Sequence, residues 1–230
     1  MTLQHNEDAK KYGYNYRFDP GKYNTHWLLL NEVPPNSRVL EIGTASGYMG
    51  EYLIKEKNCE VWGVEPVKDM YEAAKNYGYT KLFHNVAEDF LDLPEMVGQE
   101  FDVIFCGDVF EHMMDPLKVL IGLKKFLKPT GRFVISLPNI AYWQVRLHLL
   151  GGNFDMQDGG ILDRTHMRFF TLKTMKEFIE QAGLHLEKAR PSNGHIERFG
   201  INKLWGVGQK AFSLWPTLLA IQYILVATKK

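Results

Sequence analysis

Cysteine is scarce in this chain: Cys59 and Cys106 are the two in 230 residues. Each sits within or beside an apolar run, so they read as buried thiols of a reducing compartment. A disulfide framework and a cysteine-built zinc site are excluded. An excess of charge of either sign is lacking too, with 27 basic against 27 acidic residues. Phosphate contacts need clustered Lys and Arg, and no basic stripe is evident, so nucleic acid is not an expected partner. The first residues, MTLQHNEDAKKYGYNYRFDPGK, hold no apolar stretch, which removes a secretory signal and points to the cytoplasm. Long apolar runs are missing with one exception, residues 211–228. Pro216 would break a helix there, and Ser213 and Gln222 interrupt the run, so a last buried strand is preferred to a membrane anchor. Repeats and low-complexity tracts are also absent, and the expectation is one domain over 1–230.

What remains is an ordinary globular composition, 45% hydrophobic and 23% charged, in a chain long enough to bury a sizeable core. Short apolar runs recur as RVLEI (38–42), EVWGVE (60–65), KLFHN (81–85), FDVIFCG (101–107) and GRFVISL (131–137), with LHLEKA (184–189) and IQYILVAT (221–228) as later strand candidates. Helical patterns lie between several of them. In DPLKVLIGLKKFLKPTG, Asp115 is placed to cap, Pro116 to open the helix, and Lys128, Pro129 and Gly131 to stop it. In TLKTMKEFIEQAG, Leu172, Met175, Phe178, Ile179 and Ala182 share one face before the stop at Gly183. Near-continuous apolar strands separated by helices imply a doubly wound α/β sheet, mainly parallel and covered on both faces. Residues 138–170 and 191–215 have no steady period and read as insertions, while 1–36 reads as a lid or leading helix.

The stretch RVLEIGTASGYMGEYLIKEKNCEVWGVEP runs strand, glycine turn, helix, strand. A pyrophosphate site wants G-x-G-x-x-G. Here the turn is Gly43-Thr44-Ala45-Ser46-Gly47-Tyr48-Met49-Gly50, and Ala45 and Tyr48 break that fingerprint. The spacing suits a ligand with an amino-acid end and a ribose. Glu41 stands near the bend, where an ammonium could reach it through water, and Glu65 ends the next strand, where a carboxylate can accept two ribose hydroxyls.

VLEIGTASGYMG, VWGVEP, FDVIFCGDVFEHMMDP and LKPTGRFVISLPN, in that order, resemble the motifs of class I S-adenosylmethionine-dependent methyltransferases. The resemblance covers roughly 37–190 and departs from the family at Ala45, where a glycine is usual. It implies a Rossmann-like seven-stranded sheet, one strand reversed, with S-adenosylmethionine across the carboxyl ends of strands one, two and four. Carried over residue by residue, it implies that Glu41, Gly43, Thr44, Ala45 and Gly47 bracket the methionine part. Glu65 and Pro66 then meet the ribose, Ala87 and Glu88 the adenine, and Asp108 the sulfonium side. Asp102 reads as merely opening strand four.

Methyl transfer from a sulfonium needs collinear donor and acceptor in a water-poor site, and a hydroxyl acceptor benefits from a base. His112, just past strand four, and His166, in the insertion, are the candidate bases. Each has a plainer alternative, a packed helix cap for His112 and a salt-bridged lid for His166. Asn139 is a candidate for orienting an acceptor hydroxyl. Arg146, Arg164 and Arg168 either clamp an acceptor phosphate or pair with Asp155, Asp158 and Asp163, and Asp163 itself is counted with the substrate side. Asp163 and His166 could ligate an ion, but spacing offers no third ligand, so no metal is expected. The segment 136–183 is similar to methyltransferases of bacterial cell-surface glycan assembly, which implies a small polar acceptor such as a sugar or phosphorylated precursor. It is more loosely similar to a methyltransferase-like protein of methionine biosynthesis, which implies the alternative of an accessory subunit for a partner acyltransferase. Tyr12, Tyr14 and Tyr16 suit a lid over the cofactor, and a homodimer is the assembly left open.

Overall fold

A computed structural model describes residues 24–192 and 215–230. Seven strands form one sheet in the order β3-β2-β1-β4-β5-β7-β6: β1 (Arg38–Ile42), β2 (Glu60–Val64), β3 (Lys81–Phe83), β4 (Phe101–Gly107), β5 (Leu127–Pro138), β6 (Leu184–Ser192) and β7 (Gln222–Lys229). The first five run parallel, and β7 pairs antiparallel with both β5 and β6, so the expected single reversed strand is found. It is the strand read from the last apolar run, and among the described residues no helix is long and apolar enough to cross a membrane.

Alternation along β1 decides which side each residue serves. Leu40 and Ile42 face a core closed by α4 (Ala87–Phe90), α5 (Pro116–Leu123) and α7 (Leu172–Gln181), which contribute Phe90, Val119, Leu120, Leu123, Met175, Phe178 and Ile179. Val39 and Glu41 face the other side. There α1 (Thr25–Asn31) lays down Leu28, Leu29 and Leu30, and α2 (Tyr48–Lys57) lays down Met49 and Leu53. Each such side chain, withdrawn from water, contributes roughly 1.5–3 kcal/mol.

Local signals set the helix starts. Asn24 Oδ1 accepts the His26 and Trp27 N–H groups at the head of α1, and Asp115 Oδ1 accepts the Lys118 N–H at α5. Thr171 and Thr174 close a reciprocal capping box on α7. The end of α5 departs from expectation: it stops at Leu123, passes through a 3₁₀ turn, and the chain enters β5 at Leu127, ahead of Lys128, Pro129 and Gly131. The reason is pairing, since Leu127 registers with Phe101 of β4 and the sheet claims the residue.

The segment after β5 is less irregular than its sequence suggests. It holds α6 (Trp143–Leu150) and a small core of Tyr142, Val145 and Leu162, backed by Ile140, Met156, Ile161 and Ile221. Two further helices, α3 (Lys68–Ala74) and the short α8 (Pro216–Leu219), complete the described set. Tyr12, Tyr14, Tyr16 and nearly all of the 191–215 insertion lie outside the described residues.

Candidate active site

The carboxyl ends of β1, β2 and β4 converge on one edge. The Gly43 and Thr44 N–H groups both donate to the Val64 carbonyl, at 2.9 and 3.2 Å, so the turn after β1 is stitched to the end of β2. Gly43 has φ +74, and a Cβ there would meet Val109 Cγ2 at 2.6 Å, which brings the turn against the residue following Asp108. Gly47, at φ +89, starts α2 and passes as close to Tyr77 and Ala74. Ala45 also takes a left-handed conformation, φ +47, without glycine's freedom. Its N–H donates to Glu65 Oε2 at 2.7 Å, and the Val67 N–H donates to Glu65 Oε1 at 2.9 Å. One N–H on each oxygen fixes the carboxylate and leaves a further lone pair on each. Burial pushes the Glu65 carboxyl above its ordinary range, the two N–H contacts and His84 pulling the other way.

Glu41 is fully buried under α2, farther from the turn's surface than its sequence position suggests. Tyr79, from the approach to β3, donates its hydroxyl to Glu41 Oε2 at 2.7 Å, and Oε1 has no hydrogen-bond partner among the described residues. Burial drives this carboxyl up to about 8, with the Tyr79 bond opposing and Glu65 adding to the rise. Gly50 of α2 makes room for the pair: a Cβ there would lie 2.0 Å from the Tyr79 hydroxyl and 2.7 Å from Glu41 Oε2. The signal for Tyr79 was faint, an ordinary tyrosine before a strand, and sequence reasoning missed it.

At the end of β4, Asp108 takes φ +54 and is gripped by Ser136 of β5. The Ser136 hydroxyl accepts the Asp108 N–H at 3.0 Å and donates to Oδ1 at 2.5 Å. His26 of α1, also missed from sequence, brings Nε2 to 3.8 Å from Asp108 Oδ2, and Tyr48 Oη lies 3.2 Å from His26 Nδ1. Burial would raise the Asp108 carboxyl, but His26, Ser136 and Gln222 together hold it below the usual carboxylate range.

Beyond Asp108 a 3₁₀ turn, Phe110–His112, is clamped by the insertion, because the Glu111 carbonyl accepts the Met167 and Arg168 N–H groups at 2.8 and 3.0 Å. His112 and His166 therefore meet edge to face, ring centroids 4.8 Å apart. His112 Nδ1 lies 3.3 Å from the Thr165 carbonyl and His166 Nδ1 3.0 Å from the Ile161 carbonyl. Burial and the facing His166 ring push the His112 imidazole below its ordinary range. Glu111 is buried, and neither carboxylate oxygen has a hydrogen-bond partner among the described residues. Its carboxyl is driven well above the usual range by burial first and by Asp108 and Asp163 after it. Glu111, His112 and His166 each offer a ligand atom, all within 4.8 Å of one another. The sequence weighed Asp163 with His166 as ligands; the group that the fold gathers is instead Glu111, His112 and His166, without Asp163.

Other expectations fare differently. Asn139 is fully buried and occupied: its amide donates to the Thr217 and Ala220 carbonyls and its oxygen accepts the Ala141 N–H. It is a joint between β5 and the approach to β7, and no group is left to orient an acceptor. The three arginines form no shared clamp. Arg146 donates to the Ala141 carbonyl, Arg164 pairs with Asp158 at 2.7 Å, and Arg168 donates to the Met114 carbonyl. Asp163 accepts both the N–H and the hydroxyl of Thr165, which outweigh burial and hold its carboxyl low. Ala87 is buried at the head of α4, Glu88 is half-buried beside it, and Pro66 is exposed with its carbonyl 3.0 Å from His84 Nε2. Asp102 accepts the Arg38 N–H and pairs with Lys128, a purely local role.

Residues 19–189 match a family model described as a methyltransferase domain. A ubiquinone biosynthesis O-methyltransferase of Hydrogenovibrio crunogenus is 25% identical over 158 residues, covering 66% of this chain and 64% of that protein. The chain thus spans just under two thirds of the length of that curated relative. Among solved structures, a SAM-dependent methyltransferase from Archaeoglobus fulgidus superposes with a TM-score of 0.61 at 18% identity, covering 91% of this chain and 97% of that one. A 1,6-didemethyltoxoflavin-N1-methyltransferase from Burkholderia thailandensis, with S-adenosylhomocysteine bound, gives 0.57 at 16% identity over 91% and 80%. At these identities the solved structures share the fold.

Proposed function

The chain belongs to the methyltransferase-domain family, and from that membership we propose that it transfers the methyl group of S-adenosylmethionine to an oxygen of a small acceptor. The observation that carries the reading is Glu65 at the end of β2, whose two oxygens are each fixed by one backbone N–H and each keep a lone pair. That arrangement suits two neighbouring hydroxyls, as on a ribose. The left-handed Gly43 and Gly47, where a Cβ would collide with Val109 and with Tyr77, let the turn pack closely at the strand ends, and Glu41 Oε1, without a hydrogen-bond partner among the described residues, is a buried acceptor suited to a water or an ammonium. These features fit the cofactor. Its contribution when bound is an electrophilic methyl group on sulfur.

The protein's own part is positioning and handling of the acceptor's proton. Asp108, locked by Ser136, marks the reacting end, with His26 on one side of it. The Glu111, His112 and His166 cluster lies beyond, and while no ion occupies it a ring nitrogen of His112 or His166 can take the hydroxyl proton. For the acceptor, a phosphorylated glycan loses support because the three arginines turn to three separate partners and build no common clamp. The exposed Trp143, Phe154, Met167 and Phe169 of the insertion favour an acceptor with an aromatic or otherwise apolar body, in keeping with the O-methyltransferase relatives. The test is transfer of labelled methyl from S-adenosylmethionine to a panel of catechols and of nucleotide-linked sugars. Label on a catechol oxygen supports the reading. Label on sugars alone, or no transfer to any oxygen, overturns it.

A further inference from the structure

We propose that Glu111, His112 and His166 form a binding site for a divalent transition-metal ion, of the zinc class, at the reacting end of the sheet. The inference goes beyond methyl transfer, and its test does not depend on it.

The argument begins with hydrogen-bond accounting. A carbonyl oxygen only accepts, so the contacts to Thr165 O and Ile161 O require each histidine to carry its proton on Nδ1. The nitrogen left on each ring is Nε2, an acceptor. Holding one ring nitrogen to a backbone carbonyl while the other is free is the usual way a metal-ligating imidazole is oriented. The third member, Glu111, contributes two carboxylate oxygens, buried and without a hydrogen-bond partner among the described residues. Two half-buried imidazoles and a buried carboxylate, with only Glu111's own N–H pulling on the carboxylate, make a combination that is costly unless something positive enters. A proton on Glu111 would remove its charge but would still leave the oxygens unpartnered.

The geometry suits an ion. Ligand atoms around one metal stand about 3–4 Å apart when each bond is about 2.0–2.2 Å. The cluster's atoms lie within 4.8 Å of one another, so side-chain adjustments of about 1 Å close it. Two imidazoles and a carboxylate are the donor set of catalytic zinc sites, which keep a fourth position open, and the set also accepts cobalt, iron or manganese. Magnesium and calcium prefer all-oxygen sites and are disfavoured. Positioning is built in by two pieces of chain. The Glu111 carbonyl holds the Met167 and Arg168 N–H groups, and the His166 N–H donates to the Asp163 carbonyl, so the insertion delivers His166 to the 3₁₀ turn after β4.

The test uses tag-free, chelator-treated full-length protein titrated with Co²⁺ and Zn²⁺ by calorimetry, with visible absorption of the Co²⁺ form. The expected result is one equivalent bound with a ligand-field band, displaced by Zn²⁺. Glu111→Gln, His112→Ala and His166→Ala should each weaken binding by at least about 100-fold, since loss of merely supporting partners already costs about 10–100-fold. Asp158→Asn, a change to an exposed carboxylate within the insertion that is not one of the three ligands, should leave metal affinity within about twofold. Circular dichroism confirms folding, and His166→Asn serves where a truncation fails to fold. S-adenosylhomocysteine binding is measured in parallel. Binding of the nucleoside without metal overturns the metal site and leaves the methyltransferase reading standing, whereas metal binding without the nucleoside does the reverse. No stoichiometric Co²⁺ binding, or binding unchanged in the three variants, overturns the inference.

Discussion

Glu41→Gln offers a quantitative check on the buried pair beneath α2. The folded protein holds the Glu41 proton up to a pKa of about 8, chiefly because burial penalises the charged form, against 4.5 for an ordinary glutamate. Between those values the folded state binds more protons than the unfolded one, so stability is fully present below pH 4.5 and is lost as pH rises through 8. The interval from 4.5 to about 8, at about 1.4 kcal/mol per pH unit, comes to about 5 kcal/mol. About 4 kcal/mol of it falls between pH 5 and pH 9. Glutamine reproduces the shape of the protonated acid and can still accept from the Tyr79 hydroxyl, so the variant should fold. Glu111 also has a raised carboxyl but remains in both proteins and cancels in the comparison, and the coupling of Glu65 to Glu41 is a smaller effect than burial. Urea unfolding at pH 5 and pH 9 should therefore show the variant gaining about 4 kcal/mol on the wild type across that range. Parallel pH profiles for the two proteins, within about 1 kcal/mol, would refute the assignment of a buried, protonated Glu41.

Three further outcomes follow from neighbouring residues. Glu65→Gln removes the charge while keeping one acceptor for a backbone N–H, and should weaken S-adenosylhomocysteine binding by about 10–100-fold, the worth of a charge-assisted bond, as read by calorimetry. Ala45→Gly relieves a left-handed residue and should raise stability by about 0.5–1 kcal/mol in urea unfolding; a loss there would mean the turn is not strained. Gly50→Ala drives a methyl into the Tyr79 hydroxyl and ring and should cost about 1–3 kcal/mol, with the loss reduced when Tyr79→Ala is added; additivity of the two changes would argue against the contact.

The sheet is legible in the sequence because its strands are short apolar runs bounded by turns, and because a buried strand such as FDVIFCG has no competing helical period. Glu65 is legible for a similar reason: it ends a strand, and strand ends are where this architecture collects ligands. The insertion is not. Its chemistry depends on contacts between residues far apart in sequence, such as His112 with the Thr165 carbonyl, and no local spacing announces them. Glu111 reads as one more acid beside a histidine until the loop folds over it. Tyr79 and His26 are hidden in the same way, being unremarkable until the fold brings them against Glu41 and Asp108. Arginine and asparagine mislead in the opposite direction, since backbone carbonyls absorb Arg146, Arg168 and Asn139 before any ligand can.

The central claim is that the edge formed by Gly43, Gly47, Glu65 and Asp108 holds the nucleoside of S-adenosylmethionine. Calorimetric titration of the wild-type protein with S-adenosylhomocysteine and, separately, with NAD addresses it most directly. One equivalent of S-adenosylhomocysteine bound, with no detectable heat from NAD, is the result predicted; binding of NAD in preference, or of neither, would contradict it.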